Sequence, residues 1–302
     1  MLAALPEERF DTHDIFIDKR GYWHARGVPI DPARALSQVD VVLNGLHGGV
    51  GEDGTVQRIL ERAGVPYSGS RPLASLLSLN KIRARDIFQK AGVRIPLGVW
   101  FSLDDDFTTI EMARGVFAIF GPPYVVKPHN EGASFGIRIA WTLNELSNVI
   151  ADVLDAFGYA LVEEYIRGDE ATVGIIENFR GEDVYALPPT HVLLPEGSRM
   201  LEPHFYEQGL MRHVVPSNFS QGQKNILMDI ARKAHRALGL SHFSQSDFIV
   251  APRQGGASAV YLLEVNALPG LYEGAAFPPM LESVGSSLSE FLEHSINLAR
   301  GN

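Results

Sequence analysis

The chain has 302 residues, a formal net charge of −10, 45% hydrophobic and 21% charged residues, and no cysteine. That length holds two or three small domains or one large one. The composition excludes disulfides, thiolate metal sites and cysteine nucleophiles, and the acidic balance speaks against general nucleic-acid binding. No apolar run reaches the roughly 18–20 residues that cross a bilayer. Glu7, Glu8 and Arg9 interrupt any apolar leader. The expectation is a cytoplasmic enzyme with no membrane or nucleic-acid partner.

In chain order, residues 14–18 read as a short strand and Gly21-Tyr22-Trp23-His24 as a hairpin-type excursion. Residues 39–43 read as a strand entering Asn44-Gly45-Leu46-His47-Gly48-Gly49. Val56, Ile59, Leu60 and Ala63 recur at helical spacing, so a helix spans about 54–63 and stops at Gly64. Val65-Pro66-Tyr67 begins another strand, which completes a βαβ unit. Glu52 and Asp53 fall in the first turn of that helix and suit its dipole. A second helix is predicted over 72–91, before Gly92. Strands follow at 124–127, 137–140 and 160–165, with a helix over 143–157. A strand pair at 173–177 and 184–187 flanks Arg180-Gly181, and 195–219 reads as a long loop. Helices are predicted over 222–238 and 286–299. The class is α/β, with a parallel N-terminal unit and antiparallel sheets after it.

Three oxygen ligands stand near the end of the chain. Glu264 and Asn266 are two apart in an apolar strand, so they point to one face. Strands at 247–250 and 260–265 flank Gly255-Gly256, and Asp247 lies symmetrically opposite Glu264 in a simple hairpin. Two carboxylates and an amide, without His or Cys, suit Mg²⁺ carrying nucleotide phosphates. Lys127 ends a strand beside Gly132-Ala133-Ser134-Phe135-Gly136, where a lysine and loop amides can grip phosphate. Glu163, Glu164 and Glu170 could accept hydrogen bonds from an adenine amino group or a ribose. Glycines at 48, 49, 51 and 54 let backbone approach a ligand beside a helix N-terminus.

Together these segments resemble the D-alanine–D-alanine ligase family of ATP-grasp enzymes. The resemblance is carried by residues 47–70, Ala74-Ser75 with Asn80-Lys81, and residues 125–136, 161–174 and 246–270, in the family's order. It implies an ATP-grasp fold with three domains: a partial N-terminal parallel βαβ domain (1–81), a small central domain (82–166) and a C-terminal antiparallel-sheet domain (167–302). It implies that Lys81 and Lys127 contact the phosphates of ATP, with Ser134 in the loop that covers them. Glu163, Glu164, Tyr165, Ile166 and Glu170 would hold adenine and ribose. Asp247, Glu264 and Asn266 would bind two Mg²⁺ ions, with Mn²⁺ as a substitute. His47 would sit near the first amino acid, and the Gly270 N–H would join an oxyanion hole. The implied reaction phosphorylates the carboxylate of one D-alanine. The amine of a second then attacks the acyl phosphate, giving a dipeptide for peptidoglycan precursor synthesis. The family commonly forms homodimers.

The chain departs from the family pattern around the amino acids. Ala133 replaces the first serine of a Gly-Ser-Ser loop, Gln245 replaces an arginine, and Ala275 stands where a serine is expected. The 203–216 segment offers Tyr206 without a neighbouring lysine. The expected opening strand and glutamate-bearing loop are missing, as if the chain entered one strand and one helix late. Three readings stay open: a D-alanine–D-alanine ligase, an ATP-grasp ligase for another amino acid or carboxylate, and a nucleotide-binding homologue without ligase activity.

Overall fold

A computed structural model describes residues 1–18, 20–132, 134–195, 212–252 and 258–301. Ala133, Tyr206, Gly255-Gly256 and most of the 195–219 loop lie outside them. Among the described residues the strands form three sheets.

The first sheet joins β1 (Ile15–Ile17), β2 (Trp23–Ala25) and β3 (Val28–Pro29), with Ile17 opposite Trp23. Its small core takes Trp23, Ala35, Leu36, Val56 and Leu60, the second and third of these from α1 (Pro32–Leu36). The strand expected at 39–43 contracts to one parallel bridge, Val42 to Tyr67. Val42 N donates to Pro66 O and Ser68 N to Val42 O, both at 2.9 Å. Beyond Val42 the Asn44 side chain accepts from Leu46 N at 3.2 Å and bends the chain out of extension.

Helix α2 is Thr55–Ala63. Gly54, at φ 85, precedes it, and a Cβ there would meet Pro72 O at 2.5 Å, so only glycine fits. The helix expected over 72–91 is two helices, α3 (Pro72–Leu79) and α4 (Lys81–Lys90). Asn80 divides them: its ψ is 95, and its side chain accepts from Arg83 N at 3.0 Å as an N-cap. The break makes Lys81 the first residue of α4.

The second sheet runs β4 (Gly98–Ser102), β7 (Tyr159–Glu164), β5 (Tyr124–Lys127), β6 (Arg138–Ala140), all antiparallel. Helices α5 (Thr109–Phe117) and α6 (Leu143–Phe157) cover it. Tyr124, Val126, Leu146, Ile150 and Val162 are buried between them.

The third sheet orders β11 (Arg212–Val214), β10 (Thr190–Leu193), β8 (Asp169–Phe179), β12 (Phe243–Ala251) and β13 (Ala259–Asn266). Strand β9 (Glu182–Ala186) pairs with β8 across the left-handed turn of Arg180 and Gly181. Alternating residues of β8 serve two cores. Ala171, Val173 and Ile175 pack with Leu227, Ala231 and Ala234 of α7 (Gln221–Leu238). Ile176 joins Phe277 of α8 (Phe277–Ser283) and Phe291 of α9 (Leu288–Arg300).

A buried polar network ties residues 69 and 70 to the third sheet. Gly69 N donates to His242 Nδ1 at 3.1 Å, and Ser241 N donates to Ser70 Oγ at 3.0 Å. His242 N donates to Glu177 Oε2 at 2.6 Å, and His235 bridges Ser244 Oγ and Glu177 Oε1 at 2.8 and 3.3 Å. Ser244 and His235 are fully buried, so this serine, histidine and glutamate serve packing rather than nucleophilic chemistry.

Gly174 and Gly115 give opposite expectations. A Cβ on Gly174 would meet Phe277 Cε2 at 2.7 Å and Leu187 Cδ1 at 2.8 Å. Gly174→Val should cost about 1–3 kcal/mol through overpacking. Gly115 lies inside α5 with open space around it. Gly115→Ala should gain about 0.5–1 kcal/mol. Thermal melts of both variants check the pair, and an unmoved Tm for Gly174→Val would contradict the packing described.

Candidate active site

One cleft lies between the second and third sheets. Lys81, Lys127, Ser134, Glu163, Glu164, Tyr165, Ile166, Glu170, Asp247, Glu264 and Gly270 all line it. These residues come from the ends of β5, β7 and β13, the middle of β12, the starts of β8 and α4, and neighbouring loops. Asn266 reaches the same place through Asp247, and His47 reaches its border through Tyr272.

The acidic wall is the β12–β13 pair. Asp247 stands directly opposite Glu264, and the register shifts just beyond, between Asp247 and Phe248. Gln245 Nε2 donates to Asp247 Oδ1 at 3.1 Å, and Asn266 Nδ2 donates to Asp247 Oδ2 at 3.0 Å. Burial and the charge of Glu264 push the Asp247 carboxyl up, against hydrogen bonds from Thr172, Gln245 and Asn266. Burial would raise Glu264 as well, but the Lys81 and Lys127 cations outweigh it and hold that carboxyl below its usual value. Facing, half-buried carboxylates of this kind favour a cation between them.

Among the described residues no group of three or more His, Cys, Asp and Glu side chains is placed to hold a metal. The donor set is instead two carboxylates and the Asn266 amide, all oxygen donors. That chemistry fits a hard divalent ion whose remaining ligands are phosphate and water oxygens. It does not fit zinc or copper.

The basic wall faces it. Lys81 Nζ lies 2.9 Å from Glu264 Oε2 and donates to Glu131 O at 2.6 Å. Lys127 Nζ lies 2.5 Å from Glu163 Oε2. The other Glu163 oxygen is held by Arg85, whose Nη2 donates to Pro96 O at 2.8 Å. Glu163 is therefore occupied by two cations. The Glu164 carboxylate is engaged too, accepting from Leu97 N at 2.7 Å. Tyr165 lies beside Trp141, their ring centres 6.2 Å apart, and leads into Ile166. After β5, Ser134 takes φ 58, and its carbonyl accepts from Ile137 N at 3.2 Å. Phe135 beside it is exposed.

The glycine loop borders the cleft through His47, whose ring meets that of the lining residue Tyr272. Residues 49–51 form one 3-10 turn, and α2 begins only at Thr55, so Glu52 and Asp53 are not in its first turn. Asp53 still serves the helix, accepting from Thr55 N at 2.7 Å. Glu52 turns inward, its Oε1 4.0 Å from His47 Nδ1. Burial pushes its carboxyl up to about 7, helped by Glu264 and opposed by the Gly48 N–H and Lys81. Burial also lowers the His47 imidazole, against a hydrogen bond with the Leu268 backbone. The His47 and Tyr272 rings meet edge-on at 5.8 Å.

Sequence reasoning missed Arg85 and the inward turn of Glu52. Arg85 follows Lys81 by four residues, so one helix face carries both, and that spacing was a usable signal. Nothing local in the sequence distinguishes an inward Glu52 from a capping one.

Residues 87–297 match the family description D-ala D-ala ligase C-terminus, and residues 24–70 match D-ala D-ala ligase N-terminus. A D-alanine–D-alanine ligase of Desulforudis audaxviator is 32% identical over 292 residues, 94% of this chain and 90% of that protein. One of Geobacter sulfurreducens is 35% identical over 285 residues, 92% and 84% of the two chains. D-alanyl-alanine synthetase A of Vibrio cholerae superposes with a TM-score of 0.78 at 27% identity, covering 96% of this chain and 84% of that one. VanG D-Ala:D-Ser ligase of Enterococcus faecalis superposes with a TM-score of 0.82 at 25% identity, covering 99% and 92%.

The raised Glu52 carboxyl sets a pH expectation. Between the ordinary value of 4.5 and about 7 the folded chain keeps a proton that the unfolded chain has lost. Stability therefore falls as pH rises through that window, and the full penalty remains above it. Glu52→Gln should stabilise the ligand-free chain at pH 8 by on the order of 2 kcal/mol, and by clearly less at pH 5. Thermal melts at the two pH values check this; an equal shift at both would remove titration as the cause.

Proposed function

The chain belongs to the D-alanine–D-alanine ligase family, and from that premise we propose that it joins two D-alanine molecules while converting ATP to ADP and phosphate. The observation that carries the proposal is the facing, half-buried Asp247–Glu264 pair with Lys81 and Lys127 beside it in one cleft. Such a site concentrates the charges that phosphoryl transfer to a carboxylate requires.

In this reading Lys81 and Lys127 receive the phosphates of ATP, and Ser134 lies in the loop over them. Tyr165 and Ile166 flank adenine, with Glu163 and Glu164 holding the strand and lysine around it, and Glu170 faces the ribose. Asp247, Glu264 and Asn266 hold Mg²⁺, which when bound neutralises the phosphates and the developing charge. His47, kept neutral by burial, borders the first D-alanine. The Gly270 N–H donates to the oxyanion formed when the second amine attacks. A Cβ at Gly270 would lie 2.9 Å from Tyr272 Cε1 and 3.0 Å from Ala275 Cβ, so close approach of backbone here depends on glycine.

A second reading concerns the acceptor. Among the described residues lining the cleft, Lys81 and Lys127 are the only lysine or arginine side chains. Gln245 is turned to Asp247, and Ala275 brings no hydroxyl. A second substrate other than D-alanine is compatible with that less charged acceptor side.

ADP release measured with Mg-ATP and a panel of D-amino acids tests both. D-alanine alone should drive release with formation of the dipeptide. Turnover only in mixtures with another D-amino acid would move the chain to the second reading, and no release with any of them would sink the ligase assignment. In calorimetry, Glu264→Ala and Asn266→Ala should each lose the Mg²⁺-dependent part of ATP binding. ATP affinity that responds to Mg²⁺ as before in both variants would remove the metal assignment.

A further inference from the structure

We propose that Arg85 is a positioning residue for the phosphate end of the nucleotide, acting by keeping Lys127 uncancelled. The inference rests on the nucleotide reading of the cleft. Arg85, Lys127 and Glu163 form one buried trio, exposed by 8%, 5% and 3% respectively. Arg85 takes one Glu163 oxygen and Lys127 the other. Two cations share one anion, so the trio carries a net positive charge, and its cleft-lining cation is Lys127.

Without Arg85, Glu163 and Lys127 would form a closed one-to-one pair. Lys127 would remain in place but offer little field to an incoming polyphosphate. Arg85 thus divides the work of Glu163: the carboxylate still fixes the lysine stem, while half of its charge answers a cation behind it.

Two features show that the arrangement is built. Arg85 Nη2 also donates to Pro96 O at 2.8 Å, which aims the guanidinium edge at Glu163. On β4, a Cβ at Gly98 would stand 2.7 Å from Arg85 Nη2 and 3.2 Å from Glu163 Cγ, so the glycine makes room for the pair. Three buried ionised groups are an expensive way to pack a helix onto a sheet, since apolar residues of similar volume do so as well or better. Their retention is explained by the charge they leave over.

The test is nucleotide binding to the full chain by calorimetry, with Mg-ATP, Mg-ADP and adenosine. Arg85→Met should weaken Mg-ATP binding by about tenfold and leave adenosine within about twofold. In turnover, KM for ATP should rise while KM for D-alanine stays. The deciding variant is the double Arg85→Met/Glu163→Gln. It restores a net positive charge by another route, so Mg-ATP affinity should recover towards that of the unaltered chain. A packing role predicts that the double is no tighter than the single. Arg85→Lys keeps the charge and should hold Mg-ATP affinity within about threefold, even if Arg85→Met does not fold.

Equal losses for ATP and adenosine, a double variant as weak as the single, or a tenfold loss in Arg85→Lys would each overturn the proposal. Failure of the unaltered chain to bind Mg-ATP would instead remove the nucleotide reading itself.

Discussion

The cleft depends on one helix face. Lys81 and Arg85, one turn apart on α4, reach in different directions to Glu264 on the third sheet and Glu163 on the second. The desolvation cost of burying these charges is comparable to what their pairing returns, so the pairs add little to stability. What they add is position. They fix Lys81 and Lys127 in the cleft and leave each carboxylate a defined partner.

The acidic wall carries the complementary tension. Asp247 and Glu264 face each other half-buried, and Glu52 adds a third half-buried carboxyl near them. Burial disfavours the charged forms of Asp247 and Glu52, while Lys81 and Lys127 hold Glu264 ionised. A ligand that brings positive charge relieves that cost, so binding and stability are linked through the same groups. The site is thus poorer in stability than its packing would allow, as expected where charges are arranged for chemistry rather than for the fold.

Much of this was legible in the residues. The period-two spacing of Glu264 and Asn266, and the symmetry of Asp247 about a glycine pair, gave the correct cross-strand partner. The helices expected over 143–157 and 222–238 stand at Leu143–Phe157 and Gln221–Leu238. Local pattern failed where tertiary contacts decide. Asn80 lies within an apolar helical rhythm, yet its capping bond splits the helix and sets Lys81 at a new N-terminus. Val39 to Leu43 have strand propensity, but Asn44 and Ser68 leave a single bridge. Glu163 looked like a cleft acceptor because the arginine that claims it comes from 78 residues earlier.

The network at His242 ties the segment after the glycine loop to the acidic wall. Gly69 and Ser70 are bonded to residues 241 and 242, Leu268 packs on Gly69, and Arg94 O accepts from Leu262 N at 2.9 Å. The glycine loop and the acidic wall are thus tied to each other, while α4 bonds in both directions, to Glu264 on the third sheet and to Glu163 and His129 O on the second-sheet side. The apolar core of the second sheet, by contrast, closes on itself within residues 112–162. Between the two, the short stretch at Pro96 and Leu97 is held from both sides, by Arg85 of α4 and by Glu164 of β7. The cleft is therefore stapled across its width by charged and backbone bonds rather than by a shared apolar core, so a change of charge within it is felt by both sheets at once.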